Sequence, residues 1–434
     1  MTAIPSTTPA TTPATKRRTA KAKPESQAPV PTPQAQAQPK VTPQAQPKAQ
    51  APKWFEDMVV TVPHAALKAG IAKAVLVVTG KPALPIIGHL LLTAADGRLT
   101  IQATNLETTV VVWMPATVAV AGAATVPAEL FASVVGSMPT EPVTLALNAP
   151  RRTLAVTGGR FTSMIKGFEA EEFPTIPTAT ATVAVTLPAS LLRAGVAQVA
   201  PSAAPDDSRP VLAGVRVRLR ASTLVLAASD GFRLAHHTIT LPEPIGQASE
   251  YIVPAGAMSV LAKVLAGVEG DVQIIPLTGG NSMVIETANI RVVSRLIDGK
   301  YPDVEAIIPK AYRTRAVLEV AELRRAVKLA SFFAASSQQV AKVTLAPDWA
   351  GDPNGTLVIS ANAPEVGDNT GTIPVTIHGE GGEIALNVRY LAEMLDGLGA
   401  EQVSMEMQTK NNPAVFRPVG DDRTVHIIMP MALR

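Results

Sequence analysis

The sequence predicts an α+β protein made of three similar domains, each with antiparallel sheets and two helices. Two observations support this prediction. A β-branched, strand-like segment leads directly into a helix-like segment three times, with starts near residues 58, 184 and 316. Each unit also contains a second helix-like segment, and short runs of alternating apolar and polar residues lie between the helices. The starts are about one small domain apart, which indicates an internal repeat.

The elements follow in a regular order. The strand–helix pairs are predicted at residues 58–62 with 64–78, 184–187 with 188–199, and 316–320 with 321–335. The second helices are predicted at residues 127–137, 254–266 and 387–398. Pro127 and Pro254 are interpreted as first-turn residues, where proline is tolerated. Runs such as 99–103 and 223–227 are predicted to be strands, so the unit is βαβββ-like, twice per domain, with six helices in all.

Length and composition bound the number of domains and the class of protein. A chain of 434 residues is too long for one ordinary core. The repeat predicts a tail at residues 1–55 and domains at 56–180, 181–311 and 312–434. The absence of cysteine excludes disulfides and thiolate chemistry and suits a cytoplasmic location. No apolar run approaches the ~20 residues of a membrane helix, so no membrane partner is expected.

The net charge of +3 combines two opposite contributions. Residues 1–53 carry eight basic residues against one acid, Glu25, or +7, and the remainder carries 30 basic and 34 acidic residues, or −4. The tail is built from Pro, Ala, Thr, Gln and Lys, so it is predicted to be disordered. Its basic cluster at 16–23 is interpreted as a contact for DNA or RNA, as part of a solvated linker, or as part of an organelle transit peptide. The mildly acidic body needs a local concentration of positive charge to bind DNA.

Basic residues concentrate on the predicted helices. They are Lys68, Lys73, Arg193, Lys263, Arg324, Arg325 and Lys328. A solvated helix face explains any one of them. Because they occur together on a body that is acidic as a whole, they indicate that one face of the protein is positively charged. The sixth helix departs from this pattern, because Arg389 lies beside Glu393 and Asp396.

No catalytic constellation is recognisable. His236 and His237 lie in a predicted strand with no acid at ligand spacing, so a structural role is favoured over metal binding. Asp206 and Asp207 are interpreted as solvated loop acids, with a metal-binding pair as the alternative. The sequence has no phosphate-binding glycine loop and no nucleophile elbow. It therefore predicts a protein that is not an enzyme and has no cofactor and no metal.

The chain ends unusually. Residues 424–428 are strand-like, and the apolar segment 429–433 follows before the final Arg434. A terminal segment is usually polar and mobile. This ending is interpreted either as a final edge strand that closes a core or as part of a groove.

Five segments resemble the β sliding clamp of bacterial DNA polymerase III. Residues 81–88 (KPALPIIG) resemble its RPTLPILGN segment, and residues 229–235 (SDGFRLA), with 209–214 (RPVLAG) before them, resemble its TDGHRLA region. Residues 294–303 (SRLIDGKYPD) resemble its SKLVDGRFPD run, and residues 413–418 with 429–431 resemble its ending. The segments occur in the family's order and span about residues 57–433, so the chain is identified as a member of this family.

The resemblance implies a DNA-clamp fold, in which a head-to-tail homodimer forms a ring with helices lining the pore and antiparallel sheets outside. Double-stranded DNA passes through without its sequence being read, which sliding requires. The implied partners are the DNA polymerase III catalytic subunit, the clamp loader and other proteins with a clamp-binding motif. The DNA-binding residues are then the basic helix residues named above, together with Lys81 and Arg209. The implied dimer interface joins Phe332 and Phe333 to strand 160–166 of the other subunit, with Phe161 or Ile165 inserted.

The resemblance also implies a groove for short peptides between the second and third domains. Its expected residues are Leu212, Ser229, Gly231, Phe232, Arg233, Leu234, Pro302, Ala306, Ile307, Asn411, Pro413, Ile427, Met429, Pro430, Met431 and Leu433. Methionine suits a surface that accepts several partners. Four departures from the family pattern affect peptide preference: Ala432 stands where Arg is common, Arg434 extends the end, Phe232 replaces a His and Ala306 replaces a basic residue.

Three functions are therefore compared. The first is a sliding clamp that confers processivity on the replicative polymerase and recruits partners through the groove. The second is a clamp paralogue with altered partner specificity, which the departures keep open. The third is a hydrolase on a repeated α+β scaffold, and the missing nucleophile–base sets count against it. The first function is favoured.

Overall fold

The computed structural model describes residues 57–78, 80, 84–175, 184–206, 208–277, 281–349 and 353–432. The predictions made for the tail at 1–55, for Lys81, for Asp207 and for Leu433 and Arg434 lie outside these residues. The described part of the chain contains 25 strands and six α-helices. No helix in it is both long and apolar enough to cross a membrane.

Each domain contains two helices and eight or nine strands. Domain 1 contains β1 (Met58–Val62), α1 (His64–Ala74), β2 (His89–Ala95), β3 (Arg98–Thr104), β4 (Thr108–Pro115), β5 (Thr117–Val120), β6 (Gly122–Pro127), α2 (Ala128–Gly136), β7 (Val143–Asn148), β8 (Thr153–Gly158) and β9 (Phe161–Lys166). Domain 2 contains β10 (Val185–Pro188), α3 (Ala189–Val199), β11 (Gly214–Arg220), β12 (Thr223–Ser229), β13 (Arg233–Thr240), β14 (Ser249–Pro254), α4 (Ala255–Val264), β15 (Asp271–Pro276), β16 (Ser282–Glu286) and β17 (Ile290–Arg295). Domain 3 contains β18 (Thr314–Glu319), α5 (Val320–Ala334), β19 (Val340–Pro347), β20 (Asn354–Ala363), β21 (Gly367–His378), β22 (Gly382–Asn387), α6 (Val388–Gly397), β23 (Gln402–Met407), β24 (Ala414–Pro418) and β25 (Thr424–Ile428).

Proline determines where four of the helices begin. Pro63, Pro127, Pro188 and Pro254 are the N-cap residues of α1 to α4, and their ψ angles lie between 123° and 133°. The prediction that Pro127 and Pro254 lie in the first helical turn is therefore wrong by one residue. The ring of proline fixes φ at a value that strand and helix both accept, and the extended ψ keeps the proline out of the helix, which begins at the next residue.

The described strands form three antiparallel sheets, and two of these sheets cross domain boundaries. Their strand orders are β5-β1-β7-β8-β9, β10-β15-β16-β17-β4-β3-β2-β6, and β14-β11-β12-β13-β25-β24-β23-β18-β21-β20-β19-β22. Between domains 1 and 2, β4 pairs with β17, with Val112 opposite Ile290. Between domains 2 and 3, β13 pairs with β25, with Arg233 opposite Ile428. Backbone hydrogen bonds therefore join each domain to the next.

The six helices form a continuous row. The order of contact is α2, α1, α4, α3, α6 and α5, and the 3-10 turn Val75–Val77 after α1 is the part that meets α4. Gly397 at the end of α6 permits one of these contacts. A Cβ at this position would lie 2.8 Å from the carbonyl oxygen of Ala197 in α3. Glycine thus allows domains 2 and 3 to meet through closely packed helices.

The buried apolar residues of the described chain form two large cores, one smaller cluster and two minor groups of two and three residues. Domains 1 and 2 share one core, and domain 3 has its own. The smaller cluster lies at the boundary of domains 2 and 3 and includes Leu212, Leu234, Tyr301, Val304 and Ile427. This is the region in which the sequence predicts a groove.

Candidate nucleic-acid interface and peptide groove

The helix row carries an excess of positive charge. The six helices contain eight Lys or Arg residues and four Asp or Glu residues. Lys68, Arg193, Lys263 and Lys328 are exposed, and their side chains make no ion pair within the described part of the chain. Four helices of the row thus present cations without an ion-pair partner to solvent, as a surface for phosphate groups requires.

Lys73, a predicted DNA-binding residue, is engaged within the protein. Its Nζ donates to the carbonyl oxygens of Val264 and, at 3.1 Å, of Ala266, at the C-terminal end of α4. Burial lowers the pKa of Lys73. The last carbonyl groups of a helix lack intrahelical partners and favour a cation. Lys73 therefore joins domain 1 to domain 2, a role that the sequence does not indicate.

Two cations of α5 are also partly engaged. Arg324 donates to the carbonyl oxygen of Leu395 at the end of α6, and its Nε lies 3.6 Å from Asp396 Oδ1. Arg325 pairs with Glu322 at 2.8 Å. Both side chains remain exposed, so these contacts reduce their availability to DNA without burying them.

A tight turn at residues 229–233 presents Phe232 to solvent. Asp230 Oδ1 accepts hydrogen bonds from the N–H groups of Phe232, at 2.8 Å, and of Arg233, at 3.0 Å. Gly231 has φ of 93°, a conformation that favours glycine. Phe232 is 56% exposed, whereas Ser229 and Arg233 are buried. Ser229 and Arg233 support the turn from inside, and their contact with a bound peptide stays a prediction.

Arg209 supports the same turn. Its Nη2 donates to the carbonyl oxygen of Asp230 at 2.8 Å, and a Cβ at Gly231 would lie 3.1 Å from its Nη1. The preceding loop is closed by Asp206, whose Oδ1 accepts from the N–H of Ser208 at 3.0 Å and from its hydroxyl. These hydrogen bonds hold the pKa of Asp206 below its usual value. A contact of Arg209 with DNA stays a prediction.

Arg233 ties the turn to α6 in domain 3. Its Nε is 3.0 Å from Asp230 Oδ2, its Nη1 donates to Glu393, and its guanidinium lies 4.3 Å from the centre of the Tyr390 ring. Burial raises the pKa of Glu393, but hydrogen bonds from Arg389 and Arg233 outweigh it, so the pKa is lowered. Glu393, one of the acids by which the sixth helix departs from the basic pattern, is thus the partner of the buried Arg233.

Both buried and exposed apolar residues surround the turn. Leu212, Leu234 and Ile427 are buried in the small cluster, whereas Phe232, Ile307 and Met429 are exposed. The structure therefore brings together a buried floor and an exposed apolar rim. The remaining predicted groove residues within the described chain are exposed or half-buried nearby, on the segment before β18, the turn before β24 and the C-terminal segment: Pro302, Ala306, Asn411, Pro413, Pro430 and Met431.

The C-terminal segment is held along this rim. The N–H of Met429 donates to the carbonyl oxygen of Phe232 at 2.8 Å, and the N–H of Met431 donates to that of Ala385 in β22 at 2.9 Å. The interpretation of residues 424–428 as an edge strand is wrong, because β25 lies between β13 and β24. The last strand is interior, and only the residues after it contribute to the rim.

Domain 1 offers an exposed apolar edge. β9 is the last strand of its sheet, and Phe161 on it is 58% exposed. Phe161 borders a cavity of about 390 Å³ that Val134 and Met138 also line. Ile165 is only 2% exposed and belongs to the core of the domain. Ile165 lies on the same face of β9 as Phe161, but its side chain is packed into the core of its own domain, so it is not available for insertion into another subunit.

Domain 3 offers a second exposed edge. Phe332, near the end of α5, is 63% exposed, and Phe333 is half-buried against the core. β21 pairs with β20 along its length, but β18 pairs only with its last three residues, Thr376 to His378. The first half of β21 therefore has backbone groups that no other described strand pairs on one side. They lie beside α5, the helix that carries Phe332 and Phe333. A strand of another chain can form hydrogen bonds with them.

Two histidines join domains 2 and 3. His237 Nδ1 lies 2.7 Å from Thr424 Oγ1, and His426 Nε2 lies 2.9 Å from Gln198 Oε1. Burial lowers the pKa of His237 to about 4 and that of His426 to about 3. Both are therefore neutral near pH 7. Within the described chain no cluster of acids and histidines is placed to hold a metal ion.

Sequence reasoning missed Arg216 and Glu305. Arg216 and Arg218 alternate with apolar residues along β11, a pattern typical of a solvated face, yet Arg216 is fully buried under Glu305. Tyr301, within one of the quoted motifs, accepts a hydrogen bond from the N–H of Ser229 at 3.0 Å. No local pattern distinguishes these residues, because the segment that covers them lies far away in the sequence.

Comparison with known proteins identifies the family. Residues 58–177, 186–303 and 305–432 match the N-terminal, central and C-terminal domains of the DNA polymerase III beta subunit. The beta sliding clamp of Synechococcus elongatus is 29% identical over 362 residues, which cover 82% of this chain and 94% of the relative. That of Synechocystis sp. is 28% identical over 390 residues, which cover 85% and 97%.

Solved structures agree with these matches. The DNA polymerase III beta subunit of Thermotoga maritima superimposes with a TM-score of 0.76 at 26% identity, covering 87% of this chain and all of that one. The Pseudomonas aeruginosa sliding clamp bound to griselimycin gives the same TM-score, identity and coverage. The predicted three-domain clamp fold is confirmed. The three domain matches span most of the sequence, and the chain therefore belongs to the DNA polymerase III beta subunit family.

Proposed function

We propose that this protein is a replication clamp without catalytic activity, which encircles double-stranded DNA and confers processivity on the replicative polymerase. The observation that carries the proposal is the continuous row of six helices with twice as many basic as acidic residues, on a body that is acidic as a whole. A surface of this kind attracts phosphate groups, and contacts with phosphate groups carry no sequence information. A cytoplasmic location is part of the proposal.

A ring of two subunits would use the two exposed edges. The β9 edge with Phe161 belongs to domain 1, and the β21 edge with Phe332 belongs to domain 3, so the contact is heterologous. Heterologous contacts close into a ring when the rotation between subunits permits it. Strand pairing of β9 with β21 would satisfy unpaired backbone groups and cover Phe161 and Phe332. Such a contact would account for the exposed phenylalanines of domains 1 and 3.

The groove at domains 2 and 3 would receive short peptides from partner proteins. The buried floor and exposed rim described above suit apolar anchors, which carry most of the free energy of such binding. The polymerase III catalytic subunit, the clamp loader and other proteins with a clamp-binding motif are the proposed partners. A clamp paralogue with altered partner specificity is the second candidate, and Phe232 and Ala306 at the rim favour it.

Retention on circular DNA tests the main proposal. The protein is loaded on nicked circular DNA with the loader of its own replication system and separated by gel filtration at moderate salt. It should stay with the circle and leave after the circle is cut, because a ring slides off an end. Equal loss from circular and linear DNA would contradict the proposal. Retention that depends on DNA sequence would contradict it as well.

A further inference from the structure

Arg216 is a charged side chain without access to solvent. It lies in β11, is 0% exposed, and its Nε and Nη1 atoms have no hydrogen-bond partner in the described part of the chain. Its Nη2 donates to Glu305 Oε1 at 2.7 Å. A buried guanidinium with a single carboxylate partner depends strongly on that carboxylate, because an unpaired buried charge is very unfavourable.

Glu305 belongs to the interdomain linker (residues 296–313) and not to the sheet that it contacts. Its Oε1 also accepts from Arg218 Nη1 at 3.1 Å, while Arg218 Nε donates to Glu250 at 2.6 Å. His236 Nε2 lies 3.9 Å from the same oxygen, and burial lowers the pKa of His236, so it adds no charge near pH 7. The positive charges of the two arginines are matched by the negative charges of the two glutamates only while Glu305 is in place.

Besides the burial of Tyr301 and Val304 in the small cluster, few hydrogen bonds hold the linker. Its ends are fixed where the N–H of Ile297 donates to Ile252 and the N–H of Arg313 donates to Met407. Between these points, the hydrogen bonds from the described linker to the two domains come from Tyr301, Glu305 and Ala311. Glu305 supplies the charged anchor among them, which we call the Glu305 anchor (Arg216, Arg218 and Glu305).

The exposed rim of the groove follows this anchor directly. Glu305 begins a turn in which its carbonyl oxygen accepts from the N–H of Ile308 at 3.4 Å. Ala306 and Ile307 lie within the turn, and Ile307 is 59% exposed. The side chain of Glu305 is thus bound to domain 2, while the apolar side chain of Ile307, two positions later, is exposed to solvent.

We propose that Arg216 is a positioning residue for partner peptides, which fixes the turn at 305–308 through Glu305 so that Ile307 stands at the rim before a peptide arrives. This inference rests on the peptide groove proposed above. A rim that is already in place spares each binding event the cost of ordering the turn. A loosened turn would lower apparent affinity in proportion to the fraction of molecules in the competent conformation.

Substitution of Glu305 tests the anchor, and Glu250 provides the matched control. Glu305→Ala and Glu250→Ala each remove one carboxylate from Arg218, but only the first lies in the linker. Binding of a fluorescent Leu- and Phe-containing peptide is measured by anisotropy, and amide hydrogen exchange is followed at 303–308. Glu305→Ala should bind roughly tenfold more weakly and exchange faster there, with Glu250→Ala within about twofold of wild type. Wild-type affinity in Glu305→Ala, or equal losses in both variants, would overturn the proposal.

A double variant separates positioning from folding. Arg216→Met combined with Glu305→Ala removes the whole buried pair, so the thermal midpoint lost in Glu305→Ala should be regained. The peptide affinity should stay weak, because the turn still lacks its anchor. Recovery of affinity together with the midpoint would show that Arg216 acts on folding alone and would overturn the proposal. A wild-type protein that binds no peptide would instead refute the groove itself.

Discussion

Met429 donates its backbone N–H to the carbonyl oxygen of Phe232 at 2.8 Å, so the segment after the last strand is hydrogen-bonded to the exposed turn of domain 2. The strand that precedes Met429, β25, lies in the middle of a sheet, between β13 and β24. The apolar rim at the boundary of domains 2 and 3 is therefore built on a rigid base. Its exposed side chains are free to bind another molecule.

Phe232→Ala should weaken binding of a Leu- and Phe-containing peptide by about 2 kcal/mol, or roughly thirtyfold. The ring is exposed in the free protein, so the thermal midpoint should change little. Val419→Ala is the matched control, since Val419 is an exposed apolar residue in the turn after β24, at the far end of β25. The measurement is fluorescence anisotropy at fixed salt. Equal affinities of the two variants would place the peptide elsewhere.

If the protein forms the proposed dimer, Phe332→Asp should convert it into a folded monomer of 45.2 kDa, as measured by light scattering. A charge buried without a partner at a subunit contact is strongly unfavourable. Phe161→Asp should have the same effect from the other edge. Trp349→Asp is the control, because Trp349 is equally exposed in domain 3 but lies outside the proposed interface. A dimer that survives both phenylalanine substitutions would refute the proposed edges.

Reversal of Lys68, Arg193 and Lys263 to Glu should shorten retention on circular DNA and reduce its dependence on salt. Each phosphate contact that is lost lowers the slope of log affinity against log salt by about 1. A control with the same change in net charge reverses Lys300, Lys310 and Arg220, which are exposed away from the helices. Random and defined DNA sequences should show equal losses. If the control weakens retention as much as the helix variant, bulk charge explains the binding.

Lys73→Met should lower the free energy of unfolding by about 1–2 kcal/mol, because two helix-end carbonyls lose a charged donor. Lys68→Met, on the same helix but exposed, should change it by less than about 0.5 kcal/mol. Urea unfolding followed by circular dichroism compares the two variants. A Lys73 variant as stable as the Lys68 variant would mean that the contact with α4 contributes nothing.

Stability should fall as the pH decreases from about 6.5 to about 4. His237 and His426 have pKa values of about 4 and about 3 in the folded protein, against about 6.5 for unfolded histidine. The unfolded chain therefore binds up to about two more protons in this window, which costs up to about 2.7 kcal/mol per pH unit. The lowered pKa values of Glu393 and Asp421 add further loss at lower pH.

Histidine variants isolate this contribution. His237→Asn combined with His426→Asn should flatten the dependence of the thermal midpoint on pH between about 6.5 and 4. His378→Asn should leave it unchanged, because His378 is exposed. An unchanged pH dependence in the double variant would assign the acid sensitivity to other groups, namely His89, His236 or the carboxylates.

Residue types and spacing were sufficient to predict the repeated α+β unit, the six helices and the basic helix row. These features depend on neighbours within a few residues along the chain. The N-cap prolines show the limit of such reasoning, because strand and helix share the φ of Pro127 and only its ψ assigns it to the strand. The groove motifs were recognised by resemblance, but whether each member faces solvent was not encoded locally.

The sequence by itself determined the repeat, the sorting of charge and the apolar end of the chain, because local periodicity and composition suffice for these. The tertiary structure alone decided that Ile165 points inward, that Arg216 is buried and that β25 is an interior strand. It also decided that Lys73 contacts Val264, 191 residues away. Exposure and pairing depend on which distant segment covers a side chain. A buried charge such as Arg216 is tolerable only because the linker brings Glu305 to it.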